Sequence, residues 1–510
     1  MTAVRRFALL AFALPLHAQQ PVVVASKPFG ESFLLAEMFA QVLESHGIAV
    51  TRKPGLGATE VAFTALRTNA IDVYPEYVGT GLIAILHDSV IKDPRAAFAH
   101  VSQRFSAAYG VRWLPPLGFE NTYAIAVRPQ VAKQYQLRTL SDLARASAQL
   151  TAGLTSDFIG RPDGLVGLAR AYGLAFKSVK PLAPALKYQA LADGGIDVID
   201  GYSTDGLLAK YNLVTLVDDR HFFPPYDAAA VVSPRVAKER PDVIAALVTL
   251  SGQLDVASMR EWNRRIEVDR ENVATVATEA LKTLIGRDEG SSLRTSQQGA
   301  SARIARLTGQ HLLLVAIAVS FAALIGIPLG LALEQAPRAS EVVLGVFAAI
   351  ETIPSIALLA FMIPLFGIGV TPALVALMLY AIYPIARATY SGVRNADADA
   401  VQSAAALGAT SAQQLRWVRL PLAAPVIMSG VRTASVITVG AATLAAFIGA
   451  GGLGEPIVEG LALADTRLIL SGAIPAALLA LAVDGVLALL ERRVRPAHLR
   501  NQKHAALLQQ

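Results

Sequence analysis

The 510 residues are enough for more than one domain, and 54% of them are hydrophobic while only 16% are charged. Soluble proteins carry about 25% charged residues, so this composition, with a mean hydropathy of +0.46, indicates a membrane-embedded part. The net charge of +6 has its clearest cluster in RRVRPAHLRNQKH, which follows an apolar run and is typical of a membrane anchor rather than a nucleic-acid surface; the absence of cysteine excludes disulfides, thiolate metal sites and cysteine nucleophiles.

The first 19 residues, MTAVRRFALLAFALPLHAQ, combine two arginines, an apolar stretch and a small residue, Ala18, where cleavage can occur. This pattern predicts a signal segment over residues 1–19. An uncleaved membrane anchor is the alternative, because the sequence around the cleavage position is imperfect. In both cases the following residues are expected to be exported.

Residues 20–285 alternate between strand-like and helix-like segments. The β-branched run PVVVA precedes SFLLAEMFAQVLESHG, which has helical spacing, and AVTRKP, TEVAFTALRTNA and IDVYPEY continue the alternation. This order predicts mainly parallel sheets covered by helices, and the length exceeds what one compact core usually holds. We therefore expect a two-lobed α/β domain with a ligand cleft between its lobes.

Four tyrosines lie in short, polar, turn-like contexts: Tyr77 in YPEYVGT, Tyr123 in NTYAIAV, Tyr202 in DGYSTDG and Tyr226 in FFPPYDA. The face of a tyrosine ring attracts cations, and cages of such rings hold quaternary ammonium groups. Taken singly, each tyrosine is more often a structural residue. Spacing in the sequence does not show that the four rings converge.

Six blocks of this half resemble, in the same order, the binding proteins of the glycine betaine, proline betaine and choline family of ABC importers. The blocks are ASKPFGES, GATEVAFTALRTNAIDVYPEYVGTG, LGFENTYAIAV, DFIGRPDGL, GGIDVIDGYSTDG and DDRHFFPPYDAA. The resemblance implies a box of four tyrosines around a trimethylammonium group, bordered by the backbone near one asparagine, and three carboxylate-binding side chains. The implied site comprises Lys27, Tyr77, Thr80, Asn121, Tyr123, Arg161, Tyr202 and Tyr226.

The chemistry of a betaine suits this set, because a betaine joins a poorly hydrated cation to a carboxylate. The guanidinium fork of Arg161, the Lys27 ammonium and the Thr80 hydroxyl suit the carboxylate. Each also has a structural alternative. Lys27 can be a solvated residue at a strand end, Thr80 can cap a helix, and Arg161 can pair with Asp163.

A polar linker over residues 286–310 separates this half from five long apolar segments. The segments cover residues 311–333, 342–366, 372–390, 425–448 and 468–490. Each is close to the ~20 residues that a membrane-spanning helix needs, although the second contains TIPS and can form two shorter helices. We therefore expect an all-α transmembrane domain over residues 311–491.

Five crossings and an exported binding domain place the basic tail, residues 492–510, in the cytoplasm, as the positive-inside rule requires. The resulting protein spans the bacterial inner membrane several times. Two acidic residues, Glu351 and Asp484, fall within apolar segments, where a charge is costly in lipid. They either mark a pathway or face the interior of the helical bundle.

The segment between the third and fourth crossings resembles the ATPase-coupling loop of ABC-importer permeases. That signature reads E-A-A, three residues, Gly, nine residues, Ile, one residue and Leu-Pro. The corresponding positions here are Gln402, Ser403, Ala404, Gly408, Val418, Leu420 and Pro421. Glu and one Ala of the signature are therefore replaced, while the spacing and the second half remain. An amphipathic linker helix is the alternative.

The stretch GAGGLG, residues 449–454, fits the pattern of a dinucleotide-binding turn but follows a membrane segment rather than a strand. Its glycines are better explained by helix packing or a bend, and no cofactor is expected. No G-x-x-x-x-G-K-[ST] motif occurs, so ATP hydrolysis is expected from a separate ATPase subunit rather than from this chain.

These observations predict a fused substrate-binding and permease subunit of an ABC importer for a quaternary ammonium osmoprotectant of the glycine betaine type. The resemblance implies two copies of the chain and two ATPase subunits. Choline, carnitine and ergothioneine are alternative ligands. A ligand-gated receptor or channel is an alternative of another class, and it would not need the loop at residues 402–421.

Overall fold

The computed structural model describes residues 20–285, 300–463 and 465–494. The signal segment, most of the linker and nearly all of the basic tail lie outside these residues. Within them the strands are β1 (Val22–Ala25), β2 (Val50–Lys53), β3 (Val73–Tyr77), β4 (Arg112–Trp113), β5 (Tyr123–Val127), β6 (Thr151–Leu154), β7 (Ser178–Pro181), β8 (Val198–Tyr202), β9 (Val214–Thr215) and β10 (Ala228–Val232).

The strands form two five-stranded sheets, with the orders β2-β1-β3-β10-β4 and β7-β6-β8-β5-β9. In each sheet the three strands at one edge are parallel: β2, β1 and β3 in the first sheet, and β7, β6 and β8 in the second. The strand that arrives from the other lobe, β10 or β5, pairs antiparallel with β3 or β8. The chain therefore crosses between the lobes twice, before β5 and before β10. Two segments at these crossings meet in an isolated antiparallel bridge between Glu120 and Asp227. The expectation of a two-lobed α/β domain is confirmed.

Helices cover both sheets of this domain, because apolar residues recur on one face of each helix. Helix α1 is the most deeply embedded, with Phe33, Leu34, Met38 and Phe39 no more than 5% exposed. The helices are α1 (Gly30–Ser45), α2 (Thr59–Arg67), α3 (Val78–Thr80), α4 (Pro94–Tyr109), α5 (Pro129–Gln134), α6 (Leu140–Ala146), α7 (Ser156–Gly160), α8 (Leu165–Tyr172), α9 (Pro184–Ala192), α10 (Gly206–Lys210), α11 (Pro234–Glu239), α12 (Pro241–Val248), α13 (Val256–Glu267) and α14 (Val273–Ile285).

The second half is helical throughout its described part. Its helices are α15 (Ala300–Gln335), α16 (Pro337–Thr352), α17 (Ser355–Phe366), α18 (Val370–Arg394), α19 (Ala398–Ala406), α20 (Ser411–Gln414), α21 (Leu420–Ala442), α22 (Gly454–Ala462) and α23 (Thr466–Val494). Four stretches are long and apolar enough to cross a membrane. The pair α16 and α17, bent by 100° at the TIPS break, makes a fifth if it counts as one span.

Helix α15 begins at Ala300, so part of the segment expected as a linker is helical. The reason is packing: Ile304 and Leu307 contact Leu453 and Ala476 in a small apolar cluster. The polar composition of this stretch predicted a flexible tether. Two apolar side chains one turn apart nevertheless pack against the neighbouring elements, and this packing lengthens α15.

The GAGGLG stretch forms the turn that precedes α22. Gly449, Gly451 and Gly452 have φ values of 74°, 82° and 86°, a left-handed conformation that residues with a side chain rarely adopt. The His311 ring fixes the turn, since its Nδ1 accepts from the Leu453 N–H and its Nε2 lies 3.0 Å from the Val439 carbonyl oxygen. The glycines therefore make a tight turn in the membrane domain.

Asp484 on α23 is paired with Arg432 on α21. The two side chains form a bidentate pair with distances of 2.5 and 2.6 Å, and Arg432 also lies 3.5 Å from Glu491. Pairing removes most of the cost of placing each charge among apolar helices. Asp484 is therefore explained by helix association.

We expect Arg432→Leu to lower the thermal stability of the detergent-solubilised chain, because Asp484 then stays charged without its partner. Arg432→Leu combined with Asp484→Leu should be less damaging than Arg432→Leu alone, since the charge of Asp484 is then removed together with its partner. Melting temperatures of the two variants and of Asp484→Leu measure this coupling. A double variant as unstable as the sum of both single losses would contradict the pairing argument.

Candidate ligand-binding site and its docking on the permease

The four tyrosines lie at strand ends that face the gap between the two lobes. Tyr77 ends β3, Tyr202 ends β8 and Tyr123 begins β5. Antiparallel pairing of β5 with β8 sets Tyr123 directly opposite Tyr202. Tyr226 lies two residues before β10, which pairs with β3. The sheet register thus brings residues from four distant blocks of the sequence to one place.

Three of the four rings are in contact. The centroid of Tyr123 lies 5.2 Å from that of Tyr202, with the rings stacked, and 5.6 Å from that of Tyr226, with the rings edge to face. Tyr77 joins them through Phe29, whose centroid lies 6.3 Å from Tyr77 and 6.4 Å from Tyr202. The fifth ring, Phe29, was missed by the sequence analysis, although it lies in the same block as Lys27.

A buried carboxylate, Glu31, connects this cluster to both lobes. Its Oε1 accepts from the Tyr77 hydroxyl at 2.5 Å and from the Asn121 amide at 2.8 Å. Its Oε2 accepts from the Thr204 hydroxyl at 2.5 Å and from the Asn263 amide at 2.9 Å. Burial nevertheless raises the pKa of Glu31, and these donors oppose that rise.

A second carboxylate, Asp163, accepts hydrogen bonds on the other side of the cluster. It accepts a bidentate pair from Arg161 at 2.8 and 2.5 Å, and the Tyr226 hydroxyl at 2.5 Å. The Arg161 guanidinium lies 6.0 Å from the centroid of the Tyr123 ring. The pairing of Arg161 with Asp163 that the sequence left open as an alternative is therefore present.

The remaining predicted residues lie close by. The Lys27 ammonium is 5.2 Å from the centroid of Tyr77 and pairs with Glu76 at 2.5 Å, so it is a buried cation rather than a solvated one. Thr80 is buried in α3 and makes no side-chain capping bond. The backbone N–H of Asn121 donates to the Tyr226 carbonyl at 3.1 Å.

Further acidic groups lie beside Glu31 at the interface of α10 and α13. Burial raises the pKa of Asp205, which Lys187 opposes, and Asp205 accepts from the Tyr202 N–H at 3.0 Å. Burial raises the pKa of Glu267 well above its usual value, and the charges of Asp205 and Glu31 add to that rise. One carboxylate oxygen of Glu267 is buried and accepts no hydrogen bond from any described residue.

The permease half contacts this region directly. Leu463, in the loop after α22, is 8% exposed and packs into the apolar cluster of the binding domain. With Ala462 it lines a cavity of about 60 Å³ that Phe29 and Tyr202 also line. Arg270 pairs with Asp465 at 3.1 Å across the same contact. The loop therefore lies between residues of both lobes.

A second contact involves the glycine turn of the permease. The Gly57 N–H donates to the Phe447 carbonyl at 3.1 Å. Leu56 lies so close to Gly449 that a β-carbon there would be 2.6 Å from its Cδ2. The glycine turn thus lets the backbone of the permease approach the binding domain.

The predicted coupling loop is exposed on another part of the permease. Gln402, Ser403 and Ala404 lie in α19, which buries none of its residues. Gly408 has a φ of 84°, Val418 lies in a π-helical turn, and Leu420 and Pro421 begin α21. Leu407 and Trp417 are 88% and 65% exposed, so the loop carries an uncovered apolar surface.

Comparison with known proteins identifies both halves. Residues 20–283 match the family of the substrate-binding domain of the ABC-type glycine betaine transport system. Residues 322–496 match the inner membrane component of binding-protein-dependent transport systems. The chain belongs to the glycine betaine ABC importer family. It is a fused substrate-binding and permease subunit located in the inner membrane, and its permease half implies an ATPase partner and a small ligand.

Individual relatives match between 38% and 55% of this importer chain. The choline transport system permease protein OpuBB of Bacillus subtilis is 44% identical over 38% of this chain and 90% of the relative. The carnitine transport binding protein OpuCC of Listeria monocytogenes is 34% identical over 49% of this chain and 83% of the relative. The ergothioneine transport permease/ergothioneine binding protein EgtU of Helicobacter pylori is 32% identical over 55% of this chain and 52% of the relative.

The importer predictions on fold class and transporter class are confirmed by these matches. The permease match decides against a ligand-gated receptor or channel. Within the described residues no group of three or more metal-binding side chains is present. The assignments of individual ligand-binding and coupling residues stay predictions.

We expect Glu267→Gln to raise the melting temperature of the importer by a few degrees at pH 7.5 and to change it little at pH 4. A carboxyl whose pKa is raised by folding contributes stability below its unfolded pKa of about 4.3, and this contribution is lost as pH rises through the folded value. Glutamine removes the charge that burial disfavours. Thermal melts at both pH values test this.

Glu261→Gln is the matched control, because Glu261 lies on the same helix but is exposed and paired with Arg264 at the surface. We expect it to leave the melting temperature unchanged, since surface pairs contribute little. An equal shift of Glu267→Gln at both pH values would show that burial of its charge is not the cause.

Proposed function

We propose that the importer takes up a quaternary ammonium ligand of the betaine type, which the tyrosine cluster binds. The observation that carries this proposal is the convergence of Tyr123, Tyr202 and Tyr226, with Tyr77 joined through Phe29, at the contact of the two lobes. Several ring faces around one point bind a poorly hydrated cation better than they bind other small solutes.

The charges around the cluster favour a cation over an anion. Lys27 is paired with Glu76 and Arg161 with Asp163, so the two predicted carboxylate-binding cations are already neutralised. Glu31 adds a further acidic group to the region. We propose glycine betaine as the principal ligand, whose carboxylate competes with Asp163 for Arg161 and approaches Lys27 and Thr80. Choline, carnitine and ergothioneine remain the alternatives.

Transport requires the whole assembly. We propose a homodimer of the chain with two ATPase subunits, the binding domains outside the membrane and residues 492–510 in the cytoplasm. The exposed loop with Leu407 and Trp417 docks on the ATPase, because an uncovered apolar surface beside a short helix fits a cleft of a partner. Domain limits of 20–285 and 311–491, after a signal segment at 1–19, suit this arrangement.

The central experiment is a ligand titration of the purified importer with Tyr202 variants. Tyr202→Ala removes one ring face, and a desolvated cation on such a face is worth about 2 kcal/mol, so Kd should rise at least about tenfold. Tyr202→Phe should cost much less, since the Tyr202 hydroxyl makes no hydrogen bond to another described residue. Isothermal titration with glycine betaine, choline, carnitine and ergothioneine measures both variants.

Tyr226→Phe is the contrasting control, because its hydroxyl donates to buried Asp163 and its loss leaves that carboxylate short of a donor. If Tyr202→Phe weakened binding as much as Tyr202→Ala, the ring face would not be the binding element. Absence of binding by the wild type to all four ligands would overturn the proposed ligand class.

Arg161→Ala tests the part of the ligand that carries the carboxylate. We expect this variant to bind glycine betaine much more weakly and choline only slightly more weakly, because choline has no carboxylate that Arg161 could bind. The same titrations give the ratio of the two Kd values, which should shift towards choline. An equal rise of both Kd values would show that Arg161, through its pair with Asp163, stabilises the arrangement of the lobes rather than binding the ligand.

A further inference from the structure

The permease contains a cavity, separate from the one beside Phe29 and Tyr202, at the break between α16 and α17. Its volume is about 500 Å³, and it is bounded by the break itself, by α18, and by the end of α21 with the turn that follows. Polar side chains contribute much of its wall: Glu351, Thr352, Ser355, Tyr380 and Thr443. None of these residues takes part in the ligand site or the coupling loop.

The break makes this cavity a place for water rather than lipid. Helices α16 and α17 meet at 100°, and the residues between them, Ile353 and Pro354, are not helical. Non-helical backbone at membrane depth is tolerated only where protein buries it or where it lines an aqueous cavity. The Tyr380 hydroxyl satisfies one exposed carbonyl here, that of Ile353.

Glu351 differs from Asp484 in having no ion-pair or hydrogen-bond partner among the described residues. Asp484 is paired with Arg432, whereas the Glu351 carboxylate makes no ion pair or hydrogen bond to any residue that the structure describes. Arg387 acts on it electrostatically, but its guanidinium bonds the Tyr383 hydroxyl. A carboxylate in this position is costly unless a cation visits it.

Two other features add negative potential. Glu351 lies in the last turn of α16, where unsatisfied carbonyls give a helix its negative end. The Tyr380 ring borders the same cavity, and an aromatic face attracts cations. Hydroxyls of Thr352 and Ser355 offer further oxygen atoms.

The position of the cavity connects it to the binding domain. Leu444, on its wall, begins the 3₁₀ turn Leu444–Ile448, and the Phe447 carbonyl of that turn accepts from Gly57 of the binding domain. The cavity wall is therefore continuous with a turn that contacts the binding domain.

We propose that Glu351 forms a transient cation site in the permease, which receives the quaternary ammonium group after its release from the tyrosine cluster. This inference rests on the proposed function. Unlike the tyrosine cluster, this site offers the cation one carboxylate, a helix end and a single ring. It therefore binds the cation weakly enough to release it. A permeating cation thus meets a counter-charge within the permease.

The test uses the full chain with its ATPase in proteoliposomes, with labelled choline, glycine betaine and ergothioneine as probes. We expect Glu351→Gln to lower ATP-driven uptake of each probe that the wild type imports, by about tenfold for choline, since the cation then lacks its counter-charge in the cavity. The fall should be smaller for the two zwitterions, because their net charge is zero. Glu351→Asp should retain most uptake.

Glu341→Gln is the matched control, because Glu341 lies on the same helix but is exposed and does not line the cavity. It should import every probe like the wild type. Ligand Kd and melting temperature should be unchanged in all three variants, which separates lost translocation from lost folding.

Uptake by Glu351→Gln equal to that of the wild type would overturn the cation site and leave the proposed function intact. An equal fall for choline and both zwitterions, or a fall accompanied by a lower melting temperature, would also overturn it, because a structural role does not depend on ligand charge. If the wild type binds and imports none of the probes, the proposed function fails and this inference fails with it.

Discussion

The buried carboxylate of Glu31 is the interaction on which the receptor half depends. A carboxylate without water is tolerated only when its oxygens accept enough hydrogen bonds, and Glu31 accepts four. Its donors come from β3, from the segment between the lobes, from the loop after β8 and from α13. Satisfying one charge therefore fixes the relative position of both lobes, and with it the ring of Tyr77 and the backbone at Asn121 that border the tyrosine cluster.

Docking of the permease uses the same region from outside. Leu463 enters beside Phe29 and Tyr202, and the glycine turn at Gly449 allows contact with Leu56. A receptor that carries its permease on the same chain makes this contact at the high effective concentration of a tethered partner. Because the loop lies next to the residues that connect the lobes, release of a ligand and docking on the permease involve neighbouring side chains.

The two halves differ in how their buried charges are paired. In the receptor, the two cations of the predicted ligand site each pair with a neighbouring carboxylate, Lys27 with Glu76 and Arg161 with Asp163. In the permease, Asp484 is paired, while Glu351, at the break of a helix, has no ion-pair partner in the part of the chain that the structure describes. Pairing explains structural charges, and an unpaired carboxylate in an aqueous cavity is explained by the passage of a cation.

The sequence alone determined the division into an α/β half and a membrane half, because hydrophobic periodicity and charge density are local properties of the chain. It also supplied the four tyrosines and the coupling-loop positions, through blocks that resemble a known family. Only the tertiary structure decided what surrounds them. The roles of Phe29 and Glu31, the pairing of Arg161 with Asp163, the early start of α15 and the isolation of Glu351 all depend on contacts between residues far apart in the chain. Sheet register and helix packing set such contacts, and neither can be read from the spacing of residues in one segment.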